Sequence, residues 1–385
     1  MADELVASGA VADGPAVARL VFVDALRGVA AVAVMLFHLG GHRLAQVMWR
    51  QIPVIGWGVR WGELGVQVFF VISGFVIAYS VRHRRVDRQF TRTFLWRRAL
   101  RLEPPYLVAI VAVLISNEIS RGWFATPDVP TVTWGQVAAH VIYAQRLFGY
   151  GDLYPVFWTL THEVQFYLIF ILVVGLGQAF SARESNAALL QQPSSASAET
   201  YTSREMLLGM SPAWVISTFA VPAVLSGSGA FQANGLCLDT WYLFALGLLS
   251  YGVVFARVPW QLWAAVACGI VVFNWDTEQV EPAHKLMGIA TSLSLMVAGR
   301  LGQLTHWGSW HPLQFFGAIS YSLYLVHGIV GWRVLSVGER ITGQQPLGAW
   351  LWFMLALTTA TLAAWCLHVC VERPFMRRRS DRSVG

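Results

Sequence analysis

Charge is what this sequence lacks. Only 12% of its 385 residues are Asp, Glu, Lys or Arg, against about a quarter in a soluble globular domain. Lysine is nearly missing: Lys285 is the only one, so the net charge of +6 is almost entirely arginine. In a chain this apolar, that balance points to cytoplasmic loops rather than nucleic-acid binding. Cysteine is scarce too, with Cys237, Cys268, Cys366 and Cys370 alone, all in apolar runs. That pattern gives no disulfide framework. Cys366 and Cys370 stand i, i+4 on one helix, but no further ligands cluster with them. Core packing is their expected role, and no metal site is expected. The N-terminal "MADELVASGAVADGPAVARL" has no basic n-region, so no cleaved signal peptide is expected and the first apolar run reads as a retained helix.

What the sequence has is apolar surface. Hydrophobic residues make up 56% of it, and the mean hydropathy is +0.53. The runs are long rather than alternating ten-residue segments. The fold class is therefore all-α, a polytopic integral membrane protein and not a barrel. Spans of about 17–25 residues fit at 22–41, 64–81, 102–117, 156–178, 208–226, 238–255, 260–274, 284–299, 314–333 and 347–370, about ten transmembrane helices in all. No internal repeat is visible. The expected organisation is a cytoplasmic segment 1–21, one membrane domain 22–375, and a basic cytoplasmic tail 376–385, with no soluble C-terminal domain. Within the membrane domain, 82–101 reads as an arginine-rich cytoplasmic loop. Residues 179–207, rich in Ser, Ala and Gln, read as a flexible cytoplasmic linker. Residues 118–155 fall on the outer side, where "VTWGQVAAHVIYAQRLF" suits an interfacial helix.

Polar residues inside these apolar runs are the candidates for function. Arg27 and His38 share the first span, 11 residues apart. Three helical turns put them on one face, roughly 16 Å apart along the axis. Ionisable groups inside a membrane mark functional sites by default, although Arg27 is close enough to one end to snorkel. Arg98 and Arg101 close a run of eight arginines in 82–101. Arginine forks match phosphate oxygens, while topology and anionic lipid explain such a run equally well. Glu163, in "FWTLTHEVQFYL", needs a partner or a proton at its depth, and its neighbour His162 must point elsewhere. "ISYSLYLVH" puts Tyr324 and His327 in one span. In "FFVISGFVI", Ser73 and Gly74 suit close helix approach. Trp158, with Trp123 and Trp134, could stack on sugars, although interfacial belts account for most tryptophans. By depth, a basic inner mouth leads to a His38/Glu163/His327 cluster about 15 Å further in. That geometry suits a long ligand with a phosphorylated head and a reactive far end, such as a coenzyme A thioester.

These segments together resemble the membrane-bound acyltransferase family 3. "FVDALRGVAAVAVMLFH" is similar to its first helix, with Arg27 and His38 at the family's spacing. "FFVISGFVI" resembles its second-helix motif, and Arg98 and Arg101 of "RRALRLEPPY" match its Arg-x-x-Arg. "FWTLTHEVQFYL", "ISYSLYLVH" and "ERPF" follow in the family's order. The resemblance runs from residue 22 to 375.

It implies a ten-helix bacterial inner-membrane O-acyltransferase with both termini cytoplasmic. Such an enzyme moves an acyl group, most often acetyl, from acyl-coenzyme A to a hydroxyl. The acceptor would be a cell-surface glycan or its lipid-linked precursor; a small molecule such as a macrolide is the alternative. Acyl-coenzyme A would be a co-substrate, with no tightly bound cofactor. On this reading Arg27, Arg98 and Arg101 hold the donor's phosphates. His38, polarised by Glu163, is the base, or the carrier of an acyl-histidine. Ser73, Trp158, Tyr324 and His327 support substrate. Membrane lipids surround the chain, and a second copy or a separate extracytoplasmic protein could join it. A transporter or flippase for a polar lipid-linked substrate is the rival class, against which stand the missing repeat and the lack of paired broken helices.

The arginine distribution also fixes an expected orientation, with 82–101 and the tail cytoplasmic. Single cysteines replacing Gln89 and Ser380, in a cysteine-free background, should resist an impermeant thiol reagent in intact cells and react after lysis. Labelling of either before lysis would reverse the orientation.

Overall fold

The computed structural model describes residues 19–82, 84–124, 131–190, 207–230, 235–273 and 281–376. The expected N-terminal segment up to residue 18, most of the linker, the tail beyond Met376 and the side chain of Trp123 lie outside the described residues.

The described chain is all-helical. In chain order the helices are α1 (Val21–Gly40), α2 (Arg43–Gln51), α3 (Pro53–Arg60), α4 (Gly65–Val81), α5 (Arg88–Phe124), α6 (Trp134–Val141) and α7 (Phe157–Leu190). Then come α8 (Pro212–Gly227), α9 (Trp241–Phe255), α10 (Trp260–Val272), α11 (Pro282–Arg300), α12 (His311–Thr342) and α13 (Pro346–Met376). Helices stand at all ten expected spans, but among the described residues six are long and apolar enough to cross a membrane. The shorter ones include α9 and α10, of 15 and 13 residues. At 1.5 Å per residue they fall short of a hydrocarbon layer about 30 Å thick. In α9 every residue from Trp241 to Val253 is buried, so its all-round apolarity reflects a helix packed on all sides by protein. Apolarity alone does not separate that case from a lipid-facing span.

Outer helices show the opposite pattern. Leu168, Leu172 and Leu176 on α7, and Leu347, Leu351 and Leu355 on α13, are exposed at four-residue spacing. These stripes are lipid-facing surface. Cys268, Cys366 and Cys370 are exposed as well, and only Cys237 is buried. The expectation of core packing for Cys366 and Cys370 is corrected: a thiol on an apolar stripe faces lipid as readily as protein.

Two further expectations change. The arginine-rich segment is mostly not a loop, since α5 runs unbroken from Arg88 to Phe124 with Pro104 and Pro105 inside it. Proline removes a backbone donor and crowds the preceding turn. Next to this pair, the Tyr321 hydroxyl donates to the Leu102 carbonyl at 2.8 Å. At the linker, α7 continues to Leu190, so its first part is helical. Gln178 ties this region to its surroundings, donating to the carbonyls of Arg84 and Leu208. The interfacial helix is present but short, as α6, with the Thr133 side chain accepting from Gln136 N–H at 3.1 Å.

Small residues let the helices approach. α1 and α12 run parallel: a methyl at Gly28 would lie 2.5 Å from the Leu313 carbonyl oxygen, and one at Gly331 2.5 Å from a methyl of Leu39. α4 and α9 run antiparallel, where a Cβ at Gly74 would overlap the Phe244 carbonyl and one at Gly247 the Val71 carbonyl. Close backbone approach of this kind is how membrane helices pack without a hydrophobic drive between them.

Gly74→Leu should therefore destabilise the bundle by about 1–3 kcal/mol or more, seen as a lower melting temperature in detergent and a loss of folded protein. Gly58→Ala, where nothing lies within 4 Å, should leave stability unchanged within about 0.5 kcal/mol. Equal tolerance of both would refute close packing of α4 on α9.

Candidate active site

Five helices contribute walls to one internal cavity. α1 supplies Arg27, α4 Ser73, α5 Arg98 and Arg101, α7 Glu163, and α12 Tyr324. The empty space, mouth included, is about 790 Å³. Among the described residues no carboxylate lies within 4 Å of the Arg27, Arg98 or Arg101 nitrogens. Arg98 is instead held by aromatic faces, with its guanidinium 4.9 Å from the Tyr167 ring centre and 5.4 Å from that of Phe94. Three guanidiniums without carboxylate partners on one wall have the chemistry to hold an anion.

Glu163 is the carboxylate of this wall. Its Oε1 accepts from the Ser73 hydroxyl at 3.1 Å and from the Tyr167 hydroxyl. His162 points the other way, toward Thr240 Oγ1 at 3.1 Å, as adjacent helical residues must. Above Glu163 the cavity is collared by Tyr324 and Thr159, whose hydroxyls meet at 2.9 Å. Ser320 Oγ, also on the wall, is buried without a hydrogen-bond partner. It is therefore free to bond a ligand in the cavity.

Beyond the collar lies the histidine pair. The rings of Tyr324 and His327 are 6.2 Å apart, and those of His327 and His38 are 5.0 Å apart. The contacts assign the protons. His327 Nδ1 stands 2.9 Å from the Leu323 carbonyl, so it carries hydrogen and donates. His327 Nε2 is then an acceptor, 3.2 Å from His38 Nδ1. His38 Nδ1 also stands 3.0 Å from the Val34 carbonyl. One proton on His38 Nδ1 serves both acceptors and leaves the lone pair of His38 on Nε2. The ring of His38 is half-buried and that of His327 fully buried.

The sequence-derived candidates thus divide into three groups. Arg27, Arg98, Arg101, Ser73, Glu163 and Tyr324 meet on one cavity. His38 pairs with His327, not with Glu163 as expected, because Glu163 is already engaged by Ser73 and Tyr167. Trp158 stands off the cavity wall, between Phe70 and the Arg146 guanidinium. Arg146 is in turn paired with Asp152 at 2.7 Å.

Sequence reasoning missed Glu372. It is buried, accepting from Ser322 Oγ at 2.8 Å and contacting His368 Nδ1 at 2.9 Å. A carboxylate in an apolar run was the signal, the same one that singled out Glu163. Glu63, Glu281 and His284 bring three ligand-type atoms within 4.8 Å of one another, but none of them lines the cavity.

The profile of the acyltransferase domain family matches residues 20–369. The chain belongs to the membrane-bound acyltransferase family 3. It is an acyltransferase, which decides against the transporter class. It is 27% identical to the acyltransferase MdmB of Streptomyces mycarofaciens, over 94% of this chain and 93% of that one. It is 26% identical to the exopolysaccharide production protein ExoZ of Rhizobium meliloti, over 84% and 92%. With the putative membrane-bound transacylase BcsY of Komagataeibacter xylinus it shares 28% identity over 91% and 81%. No solved structure matches the chain.

Two histidines outside the spanning helices make stability depend on pH. His42 Nδ1 accepts from Leu44 N–H at 3.1 Å, and His140 Nε2 from Leu153 N–H at 2.9 Å. Burial is the main cause that holds both below the ordinary histidine value of 6.5. The unfolded chain then binds more protons as pH falls below 6.5. Melting temperature in detergent should be constant above that pH and should drop as pH falls below it. His140→Gln should reduce that drop. An unchanged melting temperature from pH 7 to pH 5 would refute the assignment.

Proposed function

We propose that the chain is an O-acyltransferase that moves an acyl group, acetyl being the simplest, from acyl-coenzyme A to a hydroxyl of a cell-surface glycan or its lipid-linked precursor. The observation that carries this reading is the cavity with three guanidiniums that have no carboxylate partner among the described residues; Tyr324 on its wall stands next to the His38–His327 pair, which lies behind it. Phosphates of the donor bind Arg27, Arg98 and Arg101 at the basic end. The pantetheine arm runs along α1 and brings the thioester toward His38, roughly 16 Å away along the axis. The likeness to ExoZ, an exopolysaccharide production protein, supports a glycan acceptor.

The chemistry follows from the tautomer. His38 Nε2 takes the proton of the acceptor hydroxyl as its oxygen attacks the thioester carbonyl. The C–S bond breaks, the proton passes to the departing thiolate, and an ester and free coenzyme A result. A neutral imidazole near pH 7 suits this role. His327 acts through His38: it holds the ring in the base-competent tautomer. Glu163 acts on the cavity, fixing Ser73 and Tyr167 and with them the ring beneath Arg98. We place the enzyme in the bacterial cytoplasmic membrane, with both termini and the arginine mouth on the cytoplasmic side, where acyl-coenzyme A is made.

His38→Ala should lower turnover by about 10²–10⁴-fold while donor affinity measured by calorimetry holds. His327→Ala should lower turnover less and shift the pH–rate profile. Arg98→Gln with Arg101→Gln should raise the KM for acyl-coenzyme A roughly tenfold or more, the loss of one charge-assisted contact of about 1.5–3 kcal/mol. Near wild-type transfer by His38→Ala, in samples matched for folded protein, would sink the mechanism. Unchanged donor binding by the double arginine variant would sink the phosphate assignment.

A further inference from the structure

Along α1, His38 stands between two open spaces without lining either. The arginine cavity lies on one side, beyond the Tyr324 collar. On the other, where α1 ends, a cleft opens between the α1–α2 junction and the second half of α12. Its walls include His42, Arg43, Trp332, Arg333, Ser336 and Glu339, and its empty space, mouth included, is about 1130 Å³. α12 has 32 residues, about 48 Å at 1.5 Å per residue against a hydrocarbon layer of about 30 Å. Its ends project past the lipid core, and the cleft follows the end near Thr342. The cleft therefore sits at the aqueous margin.

Its side chains are pre-arranged. The Trp332 indole donates to the carbonyl of His38 itself, at 3.1 Å. This fixes the ring beside the base, yet Trp332 is 46% exposed. The His42 ring meets Trp332 edge-on at 5.6 Å. Because His42 Nδ1 accepts from Leu44 N–H, its Nε2–H faces Ser336 Oγ at 3.4 Å, and the Ser336 hydroxyl donates to the Trp332 carbonyl at 2.8 Å. Arg333 is anchored through Nε to Ser116 Oγ at 2.7 Å, which leaves its terminal nitrogens as donors. Glu339, 3.5 Å from Arg43 Nε, supplies an acceptor.

A fixed, open indole face beside a guanidinium and a carboxylate has a specific chemistry. The apolar C–H face of a sugar ring packs on the indole, and vicinal hydroxyls bond the charged forks. Few polar groups converging on an aromatic wall is also the general anatomy of a small-ligand site. Glu339 is paired with Arg43, and Arg340 also lines the cleft, so an anionic lipid headgroup is the competing occupant that the test below separates. We infer that this cleft is the acceptor subsite: it seats one sugar unit on Trp332, with hydroxyls on Arg333 and Glu339, and presents a neighbouring hydroxyl to His38 Nε2. Donor and acceptor then reach the same imidazole from opposite sides. The inference rests on the glycan reading above and names the place where that reading binds its acceptor.

The test uses the full-length protein in lipid nanodiscs. The acceptor probe is surface polysaccharide from the source organism with the gene deleted, freed of esters by mild alkali and cut to oligosaccharides. Acyl transfer to this probe is followed at varied donor and varied probe. Trp332→Ala should raise the KM for the probe tenfold or more, with a much smaller change in the KM for acyl-coenzyme A. Trp332→Phe, which keeps an aromatic face, should restore most of the loss, and Glu339→Gln should raise the probe KM without aggregation. If wild-type protein transfers to the probe and Trp332→Ala and Glu339→Gln do so with unchanged KM, the cleft is not the subsite and the glycan reading stands. If wild-type protein consumes acyl-coenzyme A but never acylates the probe, the glycan reading fails and takes the subsite with it. If Trp332→Ala changes only the response to anionic lipid in the nanodisc, Trp332 is a membrane anchor and the inference is overturned.

Discussion

The parallel contact of α1 and α12 is the constraint on which the site depends. Glycines at 28 and 317 let these two helices meet backbone to backbone, and Gly331 makes room for the Leu39 side chain. Their register fixes every cross-pair between them: His38 against His327, and His42 against Ser336. A side chain at Gly28 or Gly317 would push the helices apart by a sizeable part of a hydrogen-bond length, and 3.2 Å between two imidazoles does not survive that. The packing of small residues, chemically inert, is thus what gives His38 a defined tautomer.

Along that shared axis the polar groups are layered. Arginines come first, around the mouth of the cavity. The Glu163–Ser73–Tyr167 group and the Tyr324–Thr159 collar follow, then the histidine pair, then the Trp332 cleft. On the cavity wall the three guanidiniums have no carboxylate partner among the described residues and Ser320 Oγ has no hydrogen-bond partner, while His38 Nε2 keeps its lone pair. Buried polar atoms are ordinarily paired because an unmade hydrogen bond costs about 1–3 kcal/mol.

Much of this was legible in the sequence because apolar runs and isolated polar residues are local signals. The helix positions, the opposed directions of His162 and Glu163, and the close approach at Gly74 all follow from spacing within one segment. Family motifs then added the grouping of Arg27, Arg98 and Arg101. What stayed hidden depends on register between distant segments. Depth put His38, Glu163 and His327 in one cluster, but which of them touch across 289 positions is set by helix register and not by periodicity in either helix. Hydropathy also cannot tell lipid contact from protein contact, which is why α9 read as an ordinary span and Cys366 as a core residue. Charge hid the helical start of α5, because eight arginines in a row of twenty residues look like a loop to a hydropathy reading although arginine is a good helix former.

The unbroken α5 gives the enzyme a rigid ruler. Arg98 and Arg101 ride on the same rod that, past Pro104 and Pro105, packs Tyr106, Ala109 and Ile110 into the bundle. Their reach is therefore set by helical phase rather than by loop length. Each residue added between the arginines and that packed stretch turns both guanidiniums by about 100° around the axis. Three or four residues would bring them back to the cavity side, but about 5–6 Å further from the histidines. On the proposed acyl-coenzyme A reading, a donor of fixed length meets a protein distance of fixed length, so the mouth tolerates substitutions while insertions break the measure.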